Sequence, residues 1–505
     1  MAASAQPRGT KSLEQAVPTI LRPVLRSYLL GYLSSTTPRL LTLLLITLSR
    51  RRKNIDEKPV VAFLPSLFRI LRGGLELQRF PTFCAALVGG STLLEARGSS
   101  RFYFVVSLLT VTRTQDSTAK IDRTRSIIIF VEFGTIQIFR LARCISTFIA
   151  AWFSLRLLQS KKSEAFMDHV PEATPTGVTL RPIQFAGRTM DLTLFAVTRA
   201  VDVLVGELWA RRKSRRVAAG QWTKIEKLAS TLTDSSIFAS SCALIMWAWI
   251  YTPDRLPPSY NKWIKSAAAV DQRLLTALRR VRFGEMKYGL ETGQAHVLQG
   301  MCKDYNLPLD YGDPVKSIPF PCEIVHMGVG KSCEKHALSR WVRSFFWAFS
   351  TYLPLNFILM LRTPSKKRFR HALESSARSS AFLGTFIALY YYGICLARTR
   401  LGPRILGTSI PRCQQIDSGI CIGSGCAFCG WSVLIETAGR RKELGLFVAP
   451  RALATLFPRR YIWENQWRET LAFAVSTAVV FTCVAERPER VRGVLGKLLR
   501  KVLTA

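Results

Sequence analysis

A short segment near the middle of the chain contains four residues of types that bind metal ions. They are Cys322, His326, Cys333 and His336, and they include two of the five histidines. Zn²⁺ prefers four thiolate and imidazole ligands in a tetrahedron. The spacings place Cys322 with His326, and Cys333 with His336, as the two halves of a closed site. The pattern predicts a structural zinc site; a Cys/His packing corner and a disulfide between Cys322 and Cys333 are the alternatives.

A second group of cysteines lies in an apolar segment that is rich in glycine. Cys413, Cys421, Cys426 and Cys429 form this group. A cysteine in such a segment behaves as a small apolar residue and permits close helix approach. We therefore interpret the group as helix packing. The glycines expected at close helix contacts are Gly89, Gly419, Gly423 and Gly430.

Several charged residues lie within or at the ends of apolar segments, where charge is costly. Glu95 and Glu436 each end an apolar run, and they are either solvated or paired with an arginine such as Arg451. Arg199 and Asp202 lie one helical turn apart and are placed to form an ion pair. Such pairs are candidates for lining a polar groove.

Motifs for catalysis cannot be assigned in the sequence. It contains no recognisable Ser-His-Asp set and no paired catalytic carboxylates. The run from Gly328 to Ser332 lacks the first glycine of a P-loop at the required spacing. We therefore expect no enzymatic activity and no cofactor apart from a structural zinc ion.

Positive charge and hydrophobicity are both high in this chain of 505 residues. It has 71 Lys and Arg against 33 Asp and Glu, for a net charge of +38, yet 48% of its residues are hydrophobic. Its mean hydropathy is +0.15. The charged and apolar residues must therefore be segregated along the chain, which is typical of membrane proteins.

Apolar windows close to the length of a bilayer crossing, about 20 residues, recur along the sequence. The windows without charged residues are 235–253, 344–361, 379–397, 418–435 and 470–485. Weaker windows, which are short or interrupted by charge or proline, are 27–48, 80–94, 145–158, 192–208 and 444–457. The pattern predicts an all-α polytopic membrane protein with about ten membrane helices.

The windows and the polar segments between them predict seven regions. These are an N-terminal tail (1–26), a first membrane bundle (27–209) with an insertion at about 98–143, a basic loop (210–234), a connecting membrane span (235–253), an amphipathic central segment with a Cys/His cap (254–343), a second membrane bundle (344–486) and a basic C-terminal tail (487–505).

Basic runs lie between the apolar windows. Arginine and lysine near span ends gain about 1 kcal/mol each beside anionic headgroups, so we expect membrane lipids as partners. A homo-oligomer or other organelle-membrane proteins are further candidate partners. Nucleic acid is not expected, because the basic residues alternate with apolar spans and do not form a soluble basic face.

The two halves of the chain contain short matched segments. Residues 89–95 and 430–436 both read Gly-x-Ser-x-Leu-[Leu/Ile]-Glu. In the same order, 148–150 matches 447–449, and 195–201 matches 473–479. The matches predict two repeat-related helical bundles, with Glu95 and Glu436 in equivalent places.

Parts of the second half resemble a known family. They read CGWSVLIE at 429–436, RRKEL at 440–444 and FVAPRAL at 447–453, with the Cys/His segment 321–336 before them. They resemble fungal members of the transmembrane protein 135 family, also described as peroxisomal membrane protein 52-like. That family is related to mitochondrial inner-membrane translocase channel subunits and small peroxisomal membrane proteins. The resemblance covers most of 192–503 and, more weakly, 22–95.

The resemblance implies a multi-pass protein of peroxisomal or mitochondrial membranes. We expect a structural or regulatory factor in organelle organisation and lipid homeostasis. A solute or lipid conduit between the two bundles is the alternative. A membrane-embedded enzyme would need an open metal position at Cys322, His326, Cys333 and His336.

Overall fold

The computed structural model of the protein describes residues 18–53, 63–113, 121–174, 177–360 and 364–503. Side chains of residues 20, 48–53, 97–136, 138, 172–180 and 359 lie outside this description. Most of the predicted N-terminal tail therefore lies outside the described residues. The same is true of most side chains in the predicted insertion, whose backbone continues one long helix to Arg113 and begins the next at Ile121.

Helices form most of the described chain, which confirms the predicted helical class. They are α1 Arg22–Lys53, α2 Phe63–Gly74, α3 Phe80–Arg113, α4 Ile121–Gln159, α5 Met190–Ala218, α6 Lys224–Tyr251, α7 Pro258–Ala268, α8 Gln272–Phe283, α9 Ala295–Asp304, α10 Cys322–His326, α11 Cys333–Met360, α12 Lys366–Leu396, α13 Gly402–Leu406, α14 Ile410–Gln415, α15 Cys421–Cys429, α16 Ala438–Ala454, α17 Gln466–Glu486 and α18 Gly493–Leu503. The predicted basic loop 210–234 is instead mostly helical, because α5 runs through its arginines and α6 begins at a capping box between Thr223 and Glu226.

Six helical segments of the described chain are long and apolar enough to cross a membrane. They are Arg22–Thr47, Phe139–Gln159, Lys224–Tyr251, Lys366–Leu406, Ile410–Ile435 and Trp463–Glu486. The apolar part of α3, Phe80–Ala96, is shorter. The windows in α5, α11 and α16 are not among the six. A total of ten membrane helices therefore stays a prediction.

A small antiparallel sheet also forms, which the all-α prediction did not include. Strand β1 (Met167–Thr174) pairs with β2 (Gly177–Ala186), and β2 pairs with β3 (Tyr461–Ile462). The two long strands flank a Thr-Pro-Thr-Gly run, and proline and glycine are typical hairpin signals. The strands are short and largely polar, so they lie outside the long apolar windows of the sequence.

The chain divides into two compact units. Unit 1 consists of Met1–Arg215 and Arg460–Ala505. In its core α3 packs against α4, and α4 packs against α17. The rings of Phe83 and Phe473 lie 5.8 Å apart, and the Thr470 hydroxyl donates a buried hydrogen bond to Gln159 at 3.1 Å. Unit 1 therefore contains α17, which the sequence assigned to the second bundle.

Unit 2 is Arg216–Arg459 and is built around α6, α12, α15 and α16. Its central segment is folded and is not a linker. Helices α8, α9 and α10 enclose their own buried cluster, which includes Met286, Leu298, Met301 and Ile324. This cluster positions α10 and the start of α11, where the predicted metal ligands lie.

The third matched pair of the predicted repeat falls within one unit. Residues 195–201 lie in α5 and residues 473–479 lie in α17, and both helices belong to unit 1. The two segments of this pair therefore do not lie in two separate bundles, as the repeat prediction requires.

Gly430 is at the closest helix contact among the predicted packing glycines. A β-carbon there would lie 2.4 Å from Cα of Ala239 in α6. A β-carbon at Gly89 would lie 2.9 Å from a methyl carbon of Val24. A β-carbon at Gly419 would lie 2.7 Å from the flexible end of the Arg282 side chain. Gly423 has room, because its nearest neighbour would be a Trp247 ring atom at 3.7 Å.

We expect Gly430→Ala to lower the free energy of unfolding by about 2–3 kcal/mol, as overpacking against backbone does. Gly423→Ala is the matched control and should change it by less than about 1 kcal/mol. Thermal unfolding of both purified variants in detergent measures the difference. Equal melting temperatures would show that α6 and the segment Gly430–Ile435, the Gly430 segment, are not in close contact.

Candidate metal centre

The predicted ligand segment folds as a short helix, a tight loop and the start of a long helix. Cys322 and His326 lie at the two ends of α10, and Cys333 begins α11. The loop between them has positive φ at Met327, Gly328 and Gly330. Two of these three residues are glycines, which adopt that conformation readily. The reversal brings Cys333 back beside α10.

Four potential ligands converge at this point: Cys322, His326, Cys333 and Cys395. One donor atom from each lies within 4.8 Å of those of the other three. The Nε2 atom of His326 is 3.5 Å from the sulfur of Cys395. A tetrahedral zinc ion with Zn–S of about 2.3 Å and Zn–N of about 2.1 Å keeps its ligand atoms about 3.6–3.8 Å apart. The group therefore needs a contraction of only about 1 Å to close around zinc.

His336 does not join the group, which corrects the predicted ligand set. Its ring stacks on that of His326 at 4.7 Å and meets the edge of Tyr391 at 5.1 Å. It is completely buried, and neither ring nitrogen has a hydrogen-bond partner among the described residues. Burial lowers the pKa of His336 to about 3, so the ring is neutral. Cys395, near the end of α12, takes the fourth place.

Surrounding groups prepare His326 and Cys322 to bind a cation. The Nδ1 atom of His326 lies 2.6 Å from the carbonyl oxygen of Gly330. That bond places the proton on Nδ1 and leaves Nε2 as the ligand atom, as in many metal sites. A hydrogen bond with Cys395 and the positive charge of Arg398 lower the pKa of the Cys322 thiol to about 6. Thiolate is the form that binds metal.

A buried ion pair lies beside the cysteines. Arg398 donates to both carboxylate oxygens of Asp417, at 2.6 and 2.9 Å, and to the carbonyl of Phe320 at 2.8 Å. Each partner lies in a π-helical turn, Ala397–Leu401 or Ile416–Ile420. Tyr288 donates its hydroxyl proton to Asp417. Burial, with the charge of Asp417, raises the pKa of Tyr288, so the tyrosine stays a neutral donor.

Comparison with family models, curated proteins and solved structures finds no match to this chain. The chemistry of the site therefore follows from its geometry alone. Three thiols and one imidazole are a donor set that suits zinc. All four ligands come from the protein, so a tetrahedral ion would have no position left for water.

The cysteines of the second group contribute to packing. Cys421, Cys426 and Cys429 are buried in the core of unit 2, and Cys413 is buried in the cluster around α8 to α10. All four are free thiols.

Glu95 and Glu436 are each bound by an arginine, but Arg451 is not that partner. Glu95 pairs with Arg143 at 2.6 Å in a partly exposed position. Glu436 is buried, accepts a hydrogen bond from Ser379 at 2.7 Å and has Arg440 at 3.6 Å. Arg451 instead donates to the carbonyl of Phe447 at 2.6 Å.

Arg199 and Asp202 are linked through a third residue that sequence spacing did not reveal. Arg492 binds the Asp202 carboxylate, with Nε 2.9 Å from Oδ1. Arg199 is buried and donates to the main-chain carbonyl of Arg492 at 3.2 Å. Both residues therefore tie α5 to the segment that leads into α18.

Proposed function

We propose that the protein is a multi-pass membrane protein with a structural or regulatory role and without catalytic activity. The observation that carries this proposal is the partly buried Cys/His group, which joins α10 and α11 to the apolar helix α12. Zinc held there by Cys322, His326, Cys333 and Cys395 stabilises the fold and offers no Lewis acid to a substrate. Zinc bound by these residues would fix the central segment of unit 2 to a candidate membrane span.

The proposed membranes are those of peroxisomes or mitochondria, and the proposed role is in organelle organisation and lipid homeostasis. This part rests on the resemblance of residues 429–453 to the transmembrane protein 135 family. Membrane lipids at the basic segments and other organelle-membrane proteins, or a second copy of the chain, are the proposed partners.

We also propose that the chain is a duplication whose last helices are exchanged. Residues 234–243 of α6 and 469–478 of α17 both read [Asp/Glu]-[Ser/Thr]-x-x-Phe-Ala-x-Ser-x-Ala. In chain order, α3 then corresponds to the Gly430 segment, α4 corresponds to α16, and α6 corresponds to α17. However, α6 packs with α16, and α17 packs with α4.

Cysteines introduced at Gln159 and Thr470 should therefore cross-link, and failure to do so would remove this assignment.

We expect alkaline carbonate to leave the protein in the membrane pellet. Six apolar helices of 21 or more residues provide enough length to cross the bilayer. The measurement is an immunoblot of pellet and supernatant, with a peripheral membrane protein as the control. Release of the protein into the supernatant would contradict membrane integration.

The proposed role is tested in a strain that lacks the protein. Tagged protein should coincide with a peroxisomal or mitochondrial marker, and wild-type protein should restore organelle shape and lipid composition. Cys322→Ser should fail to restore them because the zinc site is lost, whereas His336→Phe should succeed. Normal organelles in the strain itself would refute the proposed role without affecting the zinc assignment.

A further inference from the structure

Unit 1 contains an apolar cavity of about 650 Å³ that is partly open at its surface. Helices α1, α3, α5, α17 and α18 line it, with side chains that include Leu30, Phe83, Leu87, Phe195 and Phe481. Its volume lies within the range of about 300–1,000 Å³ that is usual for ligand sites. The lining predicts a ligand that is mainly hydrocarbon.

The length of the cavity matches one leaflet of a bilayer. Along α1 it extends from Ser27 to Pro38. At a rise of 1.5 Å per residue this segment is about 16 Å long. Half of a hydrocarbon core about 30 Å thick is about 15 Å. The cavity therefore suits an acyl chain of one leaflet.

Helix α18 covers one side of the cavity and is amphipathic. Leu495, Leu498, Leu499 and Val502 line the cavity. Lys497, Arg500 and Lys501 of the same helix are exposed. A helix with an apolar face and a basic face lies at the headgroup level of a membrane.

Two arginines bring further positive charge to the ends of α18. Arg26 of α1 donates to the carbonyl of Lys501 at 3.3 Å. Arg199, which lines the cavity, donates to the carbonyl of Arg492, next to the first residue of α18. Neither α1 nor α18 contains an acidic residue. Positive charge is therefore gathered beside α18, while most of the remaining cavity lining is apolar.

We infer that unit 1 binds an anionic phospholipid, with one acyl chain in the cavity and its phosphate beside α18. The apolar lining takes the chain, and the basic residues of α18 with Arg26 favour a negative headgroup over a zwitterionic one. This inference is independent of the zinc site and of the organelle role.

Native mass spectrometry of the full-length protein tests the inference. The protein is reconstituted in vesicles of phosphatidylcholine and phosphatidylserine at a ratio of 4:1, and it is then extracted in mild detergent. We expect one phosphatidylserine to stay bound, with a preference over phosphatidylcholine of roughly tenfold or more. Equal retention of both lipids, or retention of a free fatty acid in their place, would overturn the inference.

Two variants separate the headgroup from the chain. The triple substitution Lys497→Gln, Arg500→Gln and Lys501→Gln should abolish the preference but still retain a lipid. Ala196→Phe fills the cavity and should lower retention of both lipids at least fivefold. Lys366→Gln, Lys367→Gln and Arg368→Gln remove the same charge from unit 2 and should change nothing. Unchanged retention in a folded Ala196→Phe protein would show that the cavity is not the site.

Discussion

Replacing Cys395 with serine is expected to remove zinc from the purified protein. Wild-type protein should hold about one ion per chain, and the variant less than about a tenth of that after dialysis against a mild chelator. Cys395 is the candidate ligand that would join α12 to α10 and α11, because its sulfur lies 3.5 Å from Nε2 of His326. Loss of one thiolate leaves an open position and a weaker site.

The same variant should lose at least about 4 kcal/mol of unfolding free energy, since binding of a structural ion is coupled to folding. Zinc content by elemental mass spectrometry and thermal unfolding in detergent measure the two effects. Cys429→Ser, another buried cysteine, is the control and should keep its zinc.

His336→Phe should keep its zinc and be at least as stable as the wild type. The buried ring has no hydrogen-bond partner among the described residues, and an unsatisfied polar group costs about 1–3 kcal/mol. If His336→Phe loses zinc while Cys395→Ser keeps full zinc occupancy, the ligand set expected from sequence spacing, which includes His336, would be favoured. Absence of zinc in the wild-type protein, with all its thiols titratable, would leave only the packing alternative.

Local spacing predicted three of the four residues that cluster at the candidate metal centre, but the fourth is Cys395 and not His336. Cys322, His326 and Cys333 are close in sequence, so the turn between α10 and α11 is enough to bring them together. His336 lies on α11 one turn after Cys333, and its ring stacks on His326 without joining the ligand atoms. Cys395 lies far along the chain, and only the packing of α12 against α11 brings it to the site.

Composition predicted the helical class well, because a bilayer crossing demands long apolar stretches. The grouping of those helices was harder to predict. α17 lies in the second half of the sequence but packs with α4 in unit 1, where Thr470 donates a hydrogen bond to Gln159. The packing of α17 with α4 leaves the hydrophobic patterning of each segment unchanged, so no property of a single segment reveals it. Arg398 and Asp417 were missed for the same reason, since neither carries a local signal of its partner.

Replacing Asp417 with alanine is expected to cost about 3–5 kcal/mol, because it leaves the Arg398 charge buried without its partner. The two side chains are 5% and 4% exposed. By contrast, Arg370 and Glu374 form a pair on the exposed face of α12, with exposures of 84% and 51%. Glu374→Ala is therefore the matched control, with an expected change below about 0.5 kcal/mol.

The double variant Arg398→Met and Asp417→Leu distinguishes the roles of the two charges. Apolar residues of similar size often replace a buried pair at little cost to stability, so the double variant should regain most of the stability lost in Asp417→Ala. Its zinc affinity should nevertheless fall, because Arg398 helps to lower the pKa of the Cys322 thiol. We expect a decrease of about 10–100-fold, as for other groups that support metal ligands. If the double variant regains stability and its zinc affinity is unchanged, Arg398 has a role only in the fold. If the double variant is as unstable as Asp417→Ala, the site needs Arg398 itself.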